Sequence, residues 1–186
     1  MRVVETYRVP KPDADFRERV RRLRTEPPPP PWSLVRAILV GGLTDVGFGR
    51  ADGQEFVLVV SHDGRGVFSS DGRRVARDDA PLDSAWHDER KRTALGIGPL
   101  DGERVSLAGL CGGALCGVTG DGWQLERVDL DAEERVVLMP PEEESGVVQI
   151  ADDEVSELRA AGFSPSGVVI VVATTADITI FSRSPG

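Results

Sequence analysis

From residue 34 onward the chain is cut into short apolar runs by Asp-Gly pairs, at 52–53, 63–64, 71–72, 101–102 and 121–122. Asp tolerates and Gly favours the positive φ angles of tight hairpin turns, so each pair marks a candidate chain reversal. The runs between turn signals are rich in β-branched residues: FVLVVS, GVFSS, RVSLAGL, WQLERVDL, RVVLM, VVIVVATT and ITIF. Runs of roughly four to eight residues suit strands and are short for helices. The stretch 56–77 therefore predicts a three-stranded antiparallel meander, turning at Asp63-Gly64 and Asp71-Gly72. Residues 167–180 predict a second strand pair with its turn near Ala176-Asp177. Val59 and Val171 sit in continuous apolar runs, which predicts burial between packed sheets.

The first 32 residues have a different texture. Asp15 and Glu18 have capping-box spacing, and Phe16, Val20 and Leu23 follow at i, i+4 and i+7. That pattern predicts one amphipathic helix, with arginines over the rest of its surface. Three apolar residues cannot hold a helix alone, so it is expected to dock on the chain's own body. Pro27 to Pro31 then predict an extended polyproline spacer ending at Trp32. The chain thus divides into residues 1–32, helix and spacer, and residues 33–186, a single β domain. One segment, DDEVSELRAAG at 152–162, fits either a helix capped by Asp152 or a strand running into Phe163.

Three segments show weak internal similarity: Asp45 to Ser69, Leu107 to Val128 and Ala160 to Arg183. Each places Gly before Phe or Leu at a strand end, as Gly47-Phe48, Gly109-Leu110 and Gly162-Phe163. The closest local match pairs VSHDGRGVF with VTGDGWQLE. Phe163-Ser164-Pro165-Ser166-Gly167 resembles the strand–turn–strand element of WD40 or TolB-type β-propeller repeats. The Trp-Asp and Gly-His signatures of WD40 repeats are missing, and three units fall short of the ~4–8 blades of a propeller. The resemblance implies an all-β fold: antiparallel meander sheets in a small or irregular propeller-like body, with one N-terminal amphipathic helix. It also implies that the strand at 34–40 pairs with the one at 178–182.

Charge divides the chain further. The formal net charge is -9, yet residues 1–36 hold nine basic and five acidic side chains. Residues 126–157 hold twelve acidic and two basic ones. Their acids fall in three clusters: Asp129, Asp131, Glu133 and Glu134; Glu142, Glu143 and Glu144; and Asp152, Asp153 and Glu154. Such a surface repels phosphate, which argues against nucleic acid as a partner. It fits a solvated acidic rim, or a docking face for a basic protein. On a strand, Asp129, Asp131 and Glu133 would share one face, but the glycine-centred loop of common calcium motifs is missing.

The search for chemistry is mostly negative. Only His62 and His87 occur. Ser61, His62 and Asp63 are adjacent, so on a strand they cannot chain hydrogen bonds as a catalytic triad does. His87 lies in the polar AWHDERKR segment, which predicts exposure in a linker. Cys111 and Cys116 lack the ligand spacing of a zinc site and are expected to be buried or half-buried free thiols, or a regulatory disulfide. No phosphate loop, dinucleotide fingerprint or nucleophile elbow is present. Trp32, Trp86 and Trp123 are expected to plug the core. No catalytic, metal or cofactor residues are assigned. The expected function is a non-catalytic, protein-binding module of a bacterial-type cytoplasmic protein, docking a partner through its acidic face. An immunity or antitoxin-type neutraliser of a basic toxin is the alternative, and an enzyme with an unrecognised site is the second. No apolar run approaches the ~20 residues of a membrane span, so no membrane contact is expected.

Overall fold

The computed structural model describes residues 13–131, 133–142 and 146–184. One helix, α1 (Ala14–Arg21), precedes a series of strands. In chain order these are β1 (Ser33–Leu39), β2 (Leu43–Ala51), β3 (Gln54–Ser61), β4 (Gly64–Ser69) and β5 (Arg74–Asp78). Four short strands follow: β6 (His87–Asp88), β7 (Thr93–Leu95), β8 (Arg104–Ser106) and β9 (Ala108–Gly109). The chain continues through β10 (Gln124–Asp129), β11 (Glu134–Met139) and β12 (Val148–Asp152). It ends with β13 (Leu158–Phe163), β14 (Val169–Thr174) and β15 (Asp177–Ser182). The fold is all-β, and the named strands pair antiparallel throughout.

The strands form four sheets: sheet I (β10-β11-β12), sheet II (β1-β15-β14-β13), sheet III (β5-β4-β3-β2-β9) and sheet IV (β6-β7-β8). They stack face to face in that order. Trp123, Leu125, Val136, Leu138 and Ile150 of sheet I and its approach pack on Phe163, Ile170, Val172 and Phe181 of sheet II. The opposite face of sheet II, with Val169, Val171, Ile178 and Ile180, packs on Val46, Val57, Val59 and Phe68 of sheet III. Phe56, Leu58, Val60 and Val67 cover the other side of sheet III and meet Ala94, Val105 and Leu107 around sheet IV. Strands buried on both faces need unbroken apolar runs, which is why β14 and the second half of β3 lack alternation. Val59 and Val171 lie in one shared cluster, at 2% and 0% exposure.

The meander forms as expected, with β2 added through the turn at Asp52-Gly53. There φ is 49° and 77°, the positive pair that a two-residue hairpin turn of this hand requires. The next reversal sits one residue earlier than expected: Ser61 pairs with Gly64, so His62 and Asp63 form the turn. At Asp71-Gly72 the reversal is wider, closed by Gly72 N–H to Ser69 O at 2.9 Å and Ser69 N–H to Arg73 O at 3.0 Å. The same construction recurs twice, with Gly122 donating to Thr119 O at 3.0 Å and Gly167 to Ser164 O at 2.8 Å. Ser/Thr-x-x-Gly thus closes three turns, and Val118–Trp123 is built like Phe68–Arg73: Thr119 N–H bonds Trp123 O at 2.9 Å, whereas Ser164 N–H reaches one residue further, to Val169 O at 2.8 Å.

The ambiguous segment is not helical: Asp152 ends β12, residues 153–156 form bends, and β13 runs from Leu158 into Phe163, whose N–H bonds Cys116 O at 2.8 Å. β1 pairs with β15, so a strand from the first part of the chain completes a sheet of three C-terminal strands. Helix α1 docks through Val20, with Phe16 and Leu23 alongside, on Val128, Leu130 and Val137 of sheet I. Its cap is Asp13 rather than Asp15; the Asp13 carboxylate accepts the Phe16 N–H at 2.7 Å, and Asp15 falls inside the first turn. The proline run lies on the body instead of spacing it away. Thr25 bridges to Gln149, Pro28 is buried, and a turn at Pro30-Pro31 is closed by Trp32 N–H to Pro29 O at 3.0 Å.

Candidate functional site

The acidic residues separate into two places. Asp129 ends β10, Asp131 sits in the following turn at φ 73°, and Glu133 and Glu134 lead into β11. These four surround a hairpin turn rather than sharing one strand face, so the alternation read from sequence does not apply. Asp152 closes β12 beside them, since Arg135 pairs with Asp152 and Asp153 N–H bonds Glu134 O at 3.1 Å. Asp129, Asp131, Glu133, Glu134, Asp152, Asp153 and Glu154 thus gather at one end of sheet I. Glu142 lies beyond the other end of β11, a strand of six residues away. That distance is about 17 Å at the usual rise per residue. Glu143 and Glu144 fall outside the described residues.

Several of these acids already have partners in the chain. Arg21 reaches Asp131 at 3.2 Å, Arg127 reaches Glu134 at 2.6 Å, and Arg135 reaches Glu133 at 2.9 Å. Thr25 and the Gln149 amide both donate to the Asp152 carboxylate, at 2.6 and 3.0 Å. Among the described residues Asp129, Asp152, Asp153 and Glu154 make no ion pair, the two donors to Asp152 being neutral. Of these cations Arg21 comes from the helix, and Arg127 and Arg135 from β10 and β11 of sheet I itself. Arg135 fixes the helix there: one guanidinium nitrogen donates to the carbonyls of Val20 and Leu23 and to Gln149, at 3.1, 2.9 and 2.9 Å. A cation against the carbonyls of the last helical turn and the residues just after it stabilises the helix end by hydrogen bonding and by its dipole. On the neighbouring strand Glu126 is half-buried, and that burial raises its pKa.

Two arginines rivet adjacent layers by the same device. Arg65 lies over the Trp86 ring at 4.6 Å and bonds Asp78 at 3.0 Å, joining sheet III to the approach of sheet IV. Arg183 lies over Trp32 at 4.8 Å and bonds Asp121 at 2.7 Å. Trp32 in turn meets Trp123 edge-on at 5.9 Å. The three tryptophans are buried, as core plugs should be.

Two expectations about reactive residues are overturned. His87 is buried at 6% exposure, on β6, because Trp86 beside it carries the segment into the core. Its Nε2 lies 3.8 Å from Asp45 Oδ2, and both side chains are 5% exposed. Among the described residues no other contact between a basic and an acidic side chain has both partners so buried. The signal in the sequence is a lone carboxylate inside the apolar run Leu43–Phe48. Cys111 and Cys116 are free but exposed rather than buried, because their glycine-rich loop runs over the surface. Partial burial of the Cys111 thiol, with the carboxylates of Glu89 and Asp45 nearby, raises its pKa and lowers its nucleophilicity at neutral pH. His62 is exposed at its hairpin turn, and Ser61 Oγ donates instead to Gly64 O.

Among the described residues no three His, Cys, Asp or Glu side chains are grouped to hold a metal ion, and no helix is long and apolar enough to cross a membrane. Compared with protein-family models, with curated proteins and with solved structures, the chain matches none.

Proposed function

We propose that this chain is a non-catalytic protein-binding module that docks a basic partner on the acidic end of sheet I. The observation that carries the reading is the convergence of seven carboxylates on that end, four of which have no cationic partner among the described residues. Asp129, Asp153 and Glu154 project from a rigid hairpin base and the end of β12, so the charge is held in place rather than spread along a loose tail. Fixed like charges cost the free protein some self-repulsion and are relieved by a basic surface. The sheets also read as blades of a repeat: the Ser/Thr-x-x-Gly turn recurs, and β1 completes the sheet of β13, β14 and β15.

Docking driven by such a field has a kinetic signature. A partner recovered by pull-down should associate more slowly as salt rises, because the Debye length shrinks from about 10 Å at 0.1 M to 3 Å at 1 M. The triple variant Asp129→Asn, Asp153→Asn, Glu154→Gln should lower the on-rate further while leaving the melting temperature unchanged. A partner indifferent to both salt and these substitutions would place the interface elsewhere and end this reading.

A further inference from the structure

A second charged surface carries more arginine than carboxylate, and it has the shape of a missing strand. Sheet II lies over sheet III displaced toward β9, since β13 packs against both β2 and β9, and β14 against β2. At the opposite margin β5 is left uncovered. Val59 and Phe68 of β3 and β4 join the shared core with sheet II, whereas β5 contributes no residue to it. Pairing fixes which side β5 turns to the gap: Arg74 lies opposite Phe68 and Arg77 opposite Gly66, so both arginines share the face that looks toward sheet II. Across the gap, Arg36 and Ile38 of β1 lie opposite Ile180 and Ile178, the residues of β15 that face sheet III.

The result is a groove of about 710 Å³ lined by Arg36, Ile38, Phe68, Arg74 and Arg77, with the carboxylates of Asp63 and Asp79 at the Arg77 end. Each residue of β1 from Arg36 to Leu39 lines it. Successive strand residues point to opposite faces, so a cavity that meets every one of them runs along the strand's edge. Among the described residues no strand lies beyond that edge, which carries main-chain groups free to pair. The β-bulge at Val35 and the prolines before it obstruct pairing over the first part of β1, but the part from Arg36 to Leu39 keeps regular register. Arg36 and Arg74 have no ion-pair partner among the described residues, whereas Arg77 is paired with Asp79. Ala37 and the 87% exposed Leu39 occupy the other face of β1.

We propose that this groove binds an extended acidic segment of a partner protein, which adds to β1 as a fifth strand of sheet II. Its chemistry follows from the two walls. Side chains turned toward sheet III meet Arg36 and Arg74, the two arginines of the groove without an ion pair among the described residues, and should be Asp or Glu. Alternate side chains lie beside Ala37 and Leu39 and should be apolar. Main-chain bonds to β1 supply affinity, and the alternation supplies the choice of sequence. The site is separate from the acidic end of sheet I and does not depend on it.

The test uses the full chain and a fluorescein-labelled ten-residue peptide of alternating Glu and Val, read by fluorescence anisotropy. A Lys-Val peptide of the same length, and a Glu-Val peptide with alternate amides N-methylated, are the comparisons. The acidic peptide should bind at least tenfold more tightly than either, and Arg36→Glu/Arg74→Glu should weaken it at least tenfold. Both arginines are exposed, so circular dichroism melts should show the variant folded as the parent is. Amide shift changes in NMR spectra should fall on β1 and β5. The proposal is overturned by no binding up to 1 mM peptide, by equal binding of the lysine or methylated peptide, or by affinity that survives the double substitution. Shift changes centred on Asp129–Glu134 would equally reject it.

Discussion

A methyl group added at Gly47 should loosen two sheets at once. Gly47 lies on β2, and a Cβ built there comes 2.2 Å from Ser106 O and 2.8 Å from Val105 Cγ1. Ordinary contact begins near 3.4 Å, so the strands must part by about 1 Å. The nearer obstacle is the backbone of β8, which no rotamer change can move. Val105 beside it belongs to the core shared by sheets III and IV, so separation also loosens contacts with Leu58 and Val60. Overpacking of this kind costs about 1–3 kcal/mol, and a backbone obstacle puts Gly47→Ala at the upper end. For a chain of this size, 3 kcal/mol lowers the melting temperature by about 6–12 °C. Gly162→Ala should behave alike, with Leu115 Cβ at 2.3 Å. Gly120→Ala is the control: nothing lies within 4 Å of its Cβ, so its melting temperature should stay within ~2 °C of the parent's. The assay is a thermal melt followed by circular dichroism. If Gly47→Ala melted with the parent, the close approach of β2 and β8 would be wrong, and the order of sheets III and IV with it.

Val59→Asp and Val171→Asp each place a carboxylate between sheets II and III and should cost several kcal/mol, seen as loss of soluble protein or a collapsed melt. Arg135→Ala removes the donor to the Val20, Arg21 and Leu23 carbonyls, so α1 should detach first; trypsin cleavage at Arg21–Arg24 should accelerate severalfold before global unfolding. Asp121 is held well below the ordinary carboxylate range, chiefly by hydrogen bonds from Arg183 and then Thr119. Its folded pKa is depressed, so its contribution is complete above the unfolded value of roughly 4 and fades as pH falls through the folded one. With the carboxylate half exposed, Asp121→Asn should cost about 0.5–1 kcal/mol at pH 7, and the gap in urea midpoint should close toward pH 2.

Strand existence was legible in this sequence because it rests on local signals. The run Val57–Val60 and the run Val169–Ala173 announce strands covered on both faces, and Ser164–Gly167 announces its own turn. The turn at His62-Asp63 was harder, because Asp63-Gly64 is the better turn pair by composition. Both turns would leave Val59 and Phe68 on the core side, so the hydrophobic pattern does not separate them; the pairing of Ser61 with Gly64 does. His87 was misread because its neighbours are charged, while its burial depends on Trp86 filling the gap between two sheets. The acidic cluster was legible as composition but not as a place. Only the pairing of β11 with β12 separates Glu142 from Asp152, and only the docked helix shows that Asp131 already has a cation. The groove beside β1 has no local signature at all, since it arises from the displacement of one sheet over another.

The claim that matters most is that a basic partner docks on the acidic end of sheet I. Hydrogen exchange measured by mass spectrometry on the chain, free and bound to a partner recovered by pull-down, tests it most directly. The account predicts slowed exchange in the peptides covering Asp129–Arg135 and Ala151–Glu154, and less slowing as salt is raised from 0.1 to 0.5 M. Slowing confined to other segments, with those peptides unchanged at every salt concentration, would contradict it.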